Sequence, residues 1–309
     1  MAGGVVVLGV FVADMTFRGA RAPRMGETLI GDSFALGPGG KGSNQAIAIA
    51  RAGGQVQFLT RLGDDPFADM GEKLWREAGV EAVAPRDTES FTGAASIFVE
   101  RESGNNAITV AIGAAERIAP AHLEAEAERI RSASVFLTQL EQPIEAARKG
   151  LEIAHKAGVT TILNPAPAPA GEFPYDLLPL CDYVTPNETE TEAITGRVVT
   201  TLEEAEAAAR LICEKGARAA LITLGAQGVL FHDGQVTRHV PAMAVGDVID
   251  TTGAGDAFNG GLAKALAEGA TAQEAMAFGT ATAGLSVTRA GAAASMPSAD
   301  EIEAALRRG

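Results

Sequence analysis

Apolar residues in this chain occur either as short unbroken runs or, in longer stretches, every third or fourth position. The first unbroken run, residues 5 to 12, predicts a strand, with Asp14 just past its end. From there to about Leu36 the residues Gly19, Pro23, Gly26 and Gly31 cut the chain into short β-like pieces, an excursion rather than a crossover helix. The loop Gly37-Pro38-Gly39-Gly40-Lys41-Gly42-Ser43-Asn44-Gln45 feeds an almost wholly apolar helical pattern from Ala46 to Ala52, the mark of a buried helix. A strand at 56–60 and a helix from Pro66 to about Gly79 follow. Segments 93–101 and 106–112 read as two strands around a Ser103-Gly104-Asn105 turn.

From residue 119 the alternation becomes regular. Helices are predicted at 119–131, 143–157, 187–195 and 201–215, and strands at 135–138, 159–163, 182–185 and 219–223. Segments 228–232 and 236–240 look like an antiparallel pair, and helices at 257–268, 272–288 and 298–307 close the chain. Strand–helix alternation predicts βαβ units and a mainly parallel sheet. The whole chain, 1–309, reads as one α/β domain, with the insertions at about 13–36 and 93–112 forming a small separate β unit.

Composition narrows the class. The chain of 309 residues is 47% hydrophobic and carries a net charge of −14, with mean hydropathy +0.12 and a pI of about 4.8. An acidic chain is a poor binder of nucleic acid or anionic membrane, so any phosphate ligand must be held by local donors. No run reaches the ~20 apolar residues of a membrane helix. Residues 5–13 lack the basic flank of a signal peptide, which leaves a soluble cytoplasmic protein as the expectation. Cys181 and Cys213 lie far apart without metal spacing and read as buried apolar residues. The four histidines, His122, His155, His232 and His239, show no ligand spacing and read as surface or loop residues.

The candidate chemistry centres on Asp250-Thr251-Thr252-Gly253-Ala254-Gly255-Asp256-Ala257-Phe258, a loop running into a helix N-terminus. Gly253 and Gly255 permit tight turning and close ligand approach, and the first helical amides form a ready anion site. Asp256 beside that anion reads as a general base for a hydroxyl attacking phosphate; a helix-capping role is the alternative. The loop at 37–45 is not a P-loop, since Ala35 and Gly42 stand where Gly and Ser or Thr are required. It offers Lys41 and Asn44 beside a close-approach backbone. Asn187 and Glu190 follow a strand end, either as a capping box or near a metal–phosphate group through water. Glu141, and the turn Thr223-Leu224-Gly225-Ala226-Gln227-Gly228, lie past two further strand ends.

The segments Gly39 to Ala46 and Asp250 to Phe258 resemble the two signatures of the ribokinase (PfkB) family of carbohydrate kinases. Asn164-Pro165-Ala166-Pro167-Ala168, Thr185 to Glu190 and Thr223-Leu224-Gly225 resemble it too, and the similarity runs from about Val5 to Pro297. The resemblance implies a three-layer α/β/α fold with a β lid, often used for homodimerisation. It implies phosphorylation of a small sugar by ATP, with magnesium and potassium as ions. Ribose is the first candidate; deoxyribose and fructose are the alternatives. It makes Asp256 the base and the amides of Gly253, Ala254 and Gly255 the anion hole. Asp14, Gly40, Lys41, Asn44 and Glu141, with Asp256, match the sugar positions. Asn187, Thr223, Gly225, Gly228 and Gly255 match the nucleotide site. Asp250, Thr252, Ser286, Arg289, Gly291 and Ser295 match the monovalent-cation loop, and Glu190 a water-mediated magnesium position. Two positions depart from the family pattern: Val12 and Ala115 stand where Asn is usual. A non-catalytic sugar- or nucleotide-binding regulator is the rival reading, disfavoured by the intact Gly253, Gly255 and Asp256. A dinucleotide oxidoreductase lacks its fingerprint here.

Overall fold

The computed structural model describes residues 3–308. The chain opens with β1 (Val5–Leu8), β2 (Val12–Gly19) and β3 (Ser33–Gly39), then α1 (Lys41–Arg51), β4 (Val56–Leu59) and the short β5 (Leu62–Gly63). Next come α2 (Pro66–Ala78), β6 (Glu81–Val83), β7 (Arg86–Asp87), β8 (Thr92–Glu100) and β9 (Asn106–Gly113). The second half runs α3 (Pro120–Ala125), α4 (Ala127–Ser132), β10 (Val135–Thr138), α5 (Ile144–Ala157), β11 (Thr160–Leu163) and β12 (Tyr183–Val184). It ends α6 (Glu188–Thr195), α7 (Leu202–Glu214), β13 (Ala219–Thr223), β14 (Val229–His232), β15 (Thr237–Val240), α8 (Ala254–Ala267), α9 (Ala272–Ser286) and α10 (Ala299–Leu306).

Nine strands make the main sheet, in the order β15-β14-β13-β12-β11-β10-β1-β4-β6. It is parallel from β6 to β13, and β14 and β15 add an antiparallel edge. Both faces are covered. Val6, Leu8, Phe136 and Leu163 pack with side chains of α5 and α7, whereas Val5, Val7, Leu137 and Ile162 pack with α1, α8 and α9. Alternate strand residues thus enter opposite cores, which makes the fold a three-layer α/β/α sandwich and explains why the strands read as unbroken apolar runs. Strand order reverses between β1 and β10, and ligand crevices of open α/β sheets lie at such switch points.

A second, four-stranded sheet, β3-β2-β8-β9, stands apart from the first. One of its faces exposes Phe17, Phe34 and Leu36; Ile108 and Val110 are exposed on the other face, which also carries Asp14.

Several local expectations are corrected. Residues 5–12 do not form one strand: β1 ends at Leu8 and β2, carrying Asp14, starts at Val12 in the other sheet. The break lets Gly9 meet Gly42, where a Cβ on Gly9 would lie 2.7 Å from the Gly42 Cα. The helix expected from Ala46 starts at Lys41, and the helix expected from 257 starts at Ala254. In both, the first turn is polar or Gly-rich because it serves the site, so the apolar period begins a turn late. The helix expected over 119–131 is interrupted at Glu126. His232 is not a surface residue: it is buried in β14, its Nδ1 3.0 Å from Thr237 Oγ1.

Candidate active site

The site forms where α1 and α8 lie side by side at the switch point. A Cβ on Gly260 would stand 2.5 Å from the Ala48 Cβ, so only glycine permits this approach. One turn nearer the helix starts, Asn44 Nδ2 donates to Asp256 Oδ2 at 3.0 Å. The pairs 44–256 and 48–260 advance together, so the helices run parallel and their N-termini converge on one spot. Two positive dipole ends there favour an anion.

Each helix start needs glycine. Gly40, the residue before α1, has φ 89°, and a Cβ there would meet the Val10 carbonyl oxygen at 2.5 Å. Gly253, before α8, has φ 77°. Gly255 opens onto empty space, with nothing within 4 Å of a Cβ. The first-turn amides of α8 have no acceptor inside the helix; Ala254 N–H turns back to the Thr251 carbonyl at 3.2 Å. These residues fit a phosphate cradle.

Around this point gather Asp14, Gly40, Lys41, Asn44, Glu141, Glu190 and Asp256. Glu141 Oε2 accepts from the Lys41 backbone N–H at 2.8 Å. Gly39 makes room for the Asp14 carboxylate, which a Cβ would strike at 2.2 Å. Burial pushes Asp14 up to about 6 and Glu141 up to about 7, the latter against the pull of Lys41. Burial also raises Asp256, opposed by Lys41 and by hydrogen bonds from Asn44 and Gln45. Glu190 is likewise raised by burial, against a bond from the Asn187 amide. For Lys41 burial works toward neutrality, but Asp256, Glu141 and Glu190 outweigh it and hold the ammonium above its usual value. A compact group of carboxylates around one half-buried ammonium is a setting for proton transfer and charge stabilisation.

The capping box at α6 is present: Asn187 Oδ1 accepts from the Glu190 N–H at 2.9 Å, and Glu190 Oε2 from the Asn187 N–H at 2.9 Å. Glu190 caps and also faces the charges of Lys41 and Asp256. Among the described residues no three His, Cys, Asp or Glu side chains cluster to hold a metal. Thr223 and Gly225 follow at the end of β13, and Gly228 (φ 93°) returns the chain into β14. Asp250 ties two distant loops: Oδ1 accepts from Thr252 N–H at 2.9 Å and Oδ2 from Gly291 N–H at 2.8 Å. Ser286 and Ser295 are buried and donate to the carbonyls of Ala283 and Ala292, leaving their oxygens able to accept a cation. The Arg289 guanidinium turns away to pair with Glu301, so only its backbone carbonyl is available to that loop.

The family profile described as "pfkB family carbohydrate kinase" matches residues 4–299. The chain belongs to the pfkB family of carbohydrate kinases. It is 37% identical over 298 residues to the ribokinase of Haemophilus influenzae, covering 96% of each chain. It is 34% identical over 299 residues to the deoxyribokinase of Salmonella typhi, covering 96% of this chain and 97% of that one. The solved structure of Arabidopsis thaliana ribokinase complexed with ribose and ATP superposes with TM-score 0.94 at 30% identity, over 99% of both chains.

The geometry of this carbohydrate kinase adds residues that the sequence reading missed. Gln45 Nε2 donates to Asp256 Oδ1 at 3.0 Å and to Asn164 Oδ1 at 3.1 Å, and Gln45 Oε1 accepts from Gln139. Thr185 donates to Asn259, which donates to the Gly255 carbonyl at 2.9 Å. The signal was present: Ser43-Asn44-Gln45 is a polar run at the head of a helix otherwise apolar all round, and a buried polar run needs partners. Ser43 finds one in the Trp75 indole, at 2.9 Å.

Proposed function

We propose that this kinase phosphorylates the hydroxymethyl group of a pentose, ribose first, with ATP as donor, in the cytoplasm where ATP is abundant. The observation that carries the reading is Asp256: a buried carboxylate in the first turn of α8, beside the anion-binding amides and Lys41. In this reading Asp14, Lys41, Asn44 and Glu141 hold the sugar, and Gly40 lets it approach the backbone. Asp256 takes the hydroxyl proton while the amides of Gly253, Ala254 and Gly255 stabilise charge on the transferring phosphoryl group. Asn187, Thr223, Gly225 and Gly228 line the nucleotide. Glu190 would hold the water of a magnesium ion, which when bound would offset charge on the phosphates. The ribokinase relatives support ribose.

Asp256→Asn keeps the shape and removes the base. Turnover with ribose falls roughly 10²–10⁴-fold while ribose affinity, measured by calorimetry, changes little. Near-wild-type release of ADP from that variant means Asp256 is not the base.

A second sugar preference is favoured by one observation. Val12, Ala95 and Ala115 are buried in one apolar cluster, and Val12 shares a face of β2 with Asp14. A wall without a polar contact discriminates poorly between a hydroxyl and its absence. Ribose and 2-deoxyribose therefore turn over with comparable kcat/KM. Restoring a polar contact, worth about 0.5–1.5 kcal/mol net, tilts the ratio several-fold toward ribose in Val12→Asn. An unchanged ratio assigns Val12 to core packing alone.

Asp250, Thr252, Ser286, Gly291, Ser295 and the Arg289 carbonyl form the proposed potassium loop, whose cation would brace the phosphate-binding turn. Replacing potassium by tetramethylammonium at fixed ionic strength lowers kcat; equal rates assign the loop to structure only. The second sheet acts as the lid, and its exposed residues Phe17, Phe34 and Leu36 are the proposed homodimer face. Sedimentation gives a dimer that Phe34→Glu dissociates; a wild-type monomer excludes this face.

A further inference from the structure

A chain of buried amides runs from the sheet to one oxygen of Asp256, and its direction has a single consistent sense. The Thr185 carbonyl can only accept, so Asn164 Nδ2 donates to it at 3.0 Å. That turns Asn164 Oδ1 toward Gln45, whose Nε2 donates one proton to it at 3.1 Å and the other to Asp256 Oδ1 at 3.0 Å. Gln45 Oε1 is held in turn by the Gln139 amide. A backbone carbonyl at one end and a carboxylate at the other fix the orientation of every amide between them. Gln45 and Gln139 are fully buried, and Asn164 nearly so. A buried network of this kind resists rotation, because each broken link leaves an unpaired polar group.

The second oxygen of Asp256 is placed differently. Oδ2 accepts only from Asn44 Nδ2 among the described residues, at 3.0 Å, and Asn44 Oδ1 is buried without a partner. We infer that Gln45, clamped by Asn164 and Gln139, is a positioning residue that commits Oδ1 of Asp256 to the fold and leaves Oδ2 as the oxygen that receives the sugar proton. This rests on the proposed role of Asp256 as base. In the step, the hydroxyl proton passes to Oδ2 and the hydroxyl oxygen bonds the γ-phosphorus. The bond from that phosphorus to the β–γ bridging oxygen breaks, and its electron pair leaves on ADP. A half-turn of the Asn44 amide then offers its unpartnered Oδ1 to the new Oδ2–H.

Two neutral donors on the charged carboxylate favour ionisation, against the burial that opposes it. The charged groups acting on Asp256 or influenced by it are Lys41 on α1, Glu141 after β10 and Glu190 on α6. Gln45→Met leaves all three in place and removes only the amide, so it isolates the lost donor. Gln45→Glu keeps the shape and sets a second carboxylate against the first.

The test measures kcat against pH with ribose and ATP, ribose affinity by calorimetry, and thermal stability, for Gln45→Met, Gln45→Glu, Asn164→Ala and Asp256→Asn. In Gln45→Met the acidic limb of the kcat profile moves up by on the order of one pH unit. Its plateau falls about 10–100-fold, while ribose affinity stays within about threefold. Gln45→Glu moves the limb further the same way. Asn164→Ala, which touches Gln45 and not Asp256, moves it less, and serves if the Gln45 variants do not fold. An acidic limb that stays in place in a folded variant overturns the inference, whatever the loss of stability. The two readings separate cleanly. Near-wild-type turnover in Asp256→Asn removes the base itself; an inactive Asp256→Asn with an unmoved limb in the Gln45 or Asn164 variants removes only the role of Gln45.

Discussion

The close parallel contact of α1 and α8 is the constraint on which the site depends. It brings residues 41–45 against residue 256 across more than half the chain. It exists because Gly260 presents no side chain to Ala48. Parallel helices repel through their dipoles, a cost that an anion between their N-termini reverses. The arrangement therefore favours a charged ligand at this point over no ligand at all.

That contact also explains the unusual electrostatics. Asp14, Glu141, Glu190 and Asp256 all sit with carboxyl groups raised by burial, around the single ammonium of Lys41. In a chain of net charge −14 such a cluster would be costly if it served only structure. Their placement at the switch point between β1 and β10 follows from topology, since the strand ends on either side of the reversal splay and leave a crevice. The break at Gly9 to Phe11 does the rest: it lifts β2 out of the main sheet, so that Asp14 reaches the crevice from the second sheet.

The buried amides beneath the crevice give the site a rigid floor. Gln139, Asn164 and Thr185 each stand just past the end of β10, β11 or β12, where three adjacent strands finish level with one another. Their polar groups are out of water, so they bond to one another and to Gln45. Val12, Ala95 and Ala115 form an apolar wall nearby, in the core that covers the opposite face of the sheet from α1 and α8. The crevice thus has a polar floor oriented by hydrogen bonds, while the core around Val12, Ala95 and Ala115 is shaped by packing alone.

Much of this was legible in the sequence for a local reason. Strands covered on both faces are mostly apolar, so β1, β4, β10, β11 and β13 announced themselves, and strand–helix alternation implied the parallel sheet. The glycines before α8 and the Asp after them carry their chemistry within a few residues, and so could be read as an anion site with a candidate base. What only the tertiary structure decided was non-local. The starts of α1 and α8 were hidden because their first turns face the site rather than the core, which removes the apolar period. Where β1 ends depended on the fit of Gly9 against Gly42, a contact between segments that no local pattern links. Gln45 looked like one more polar residue in a loop. Its partners at 139, 164 and 256 come together only when three strand ends and two helices meet, so its role belongs to the fold.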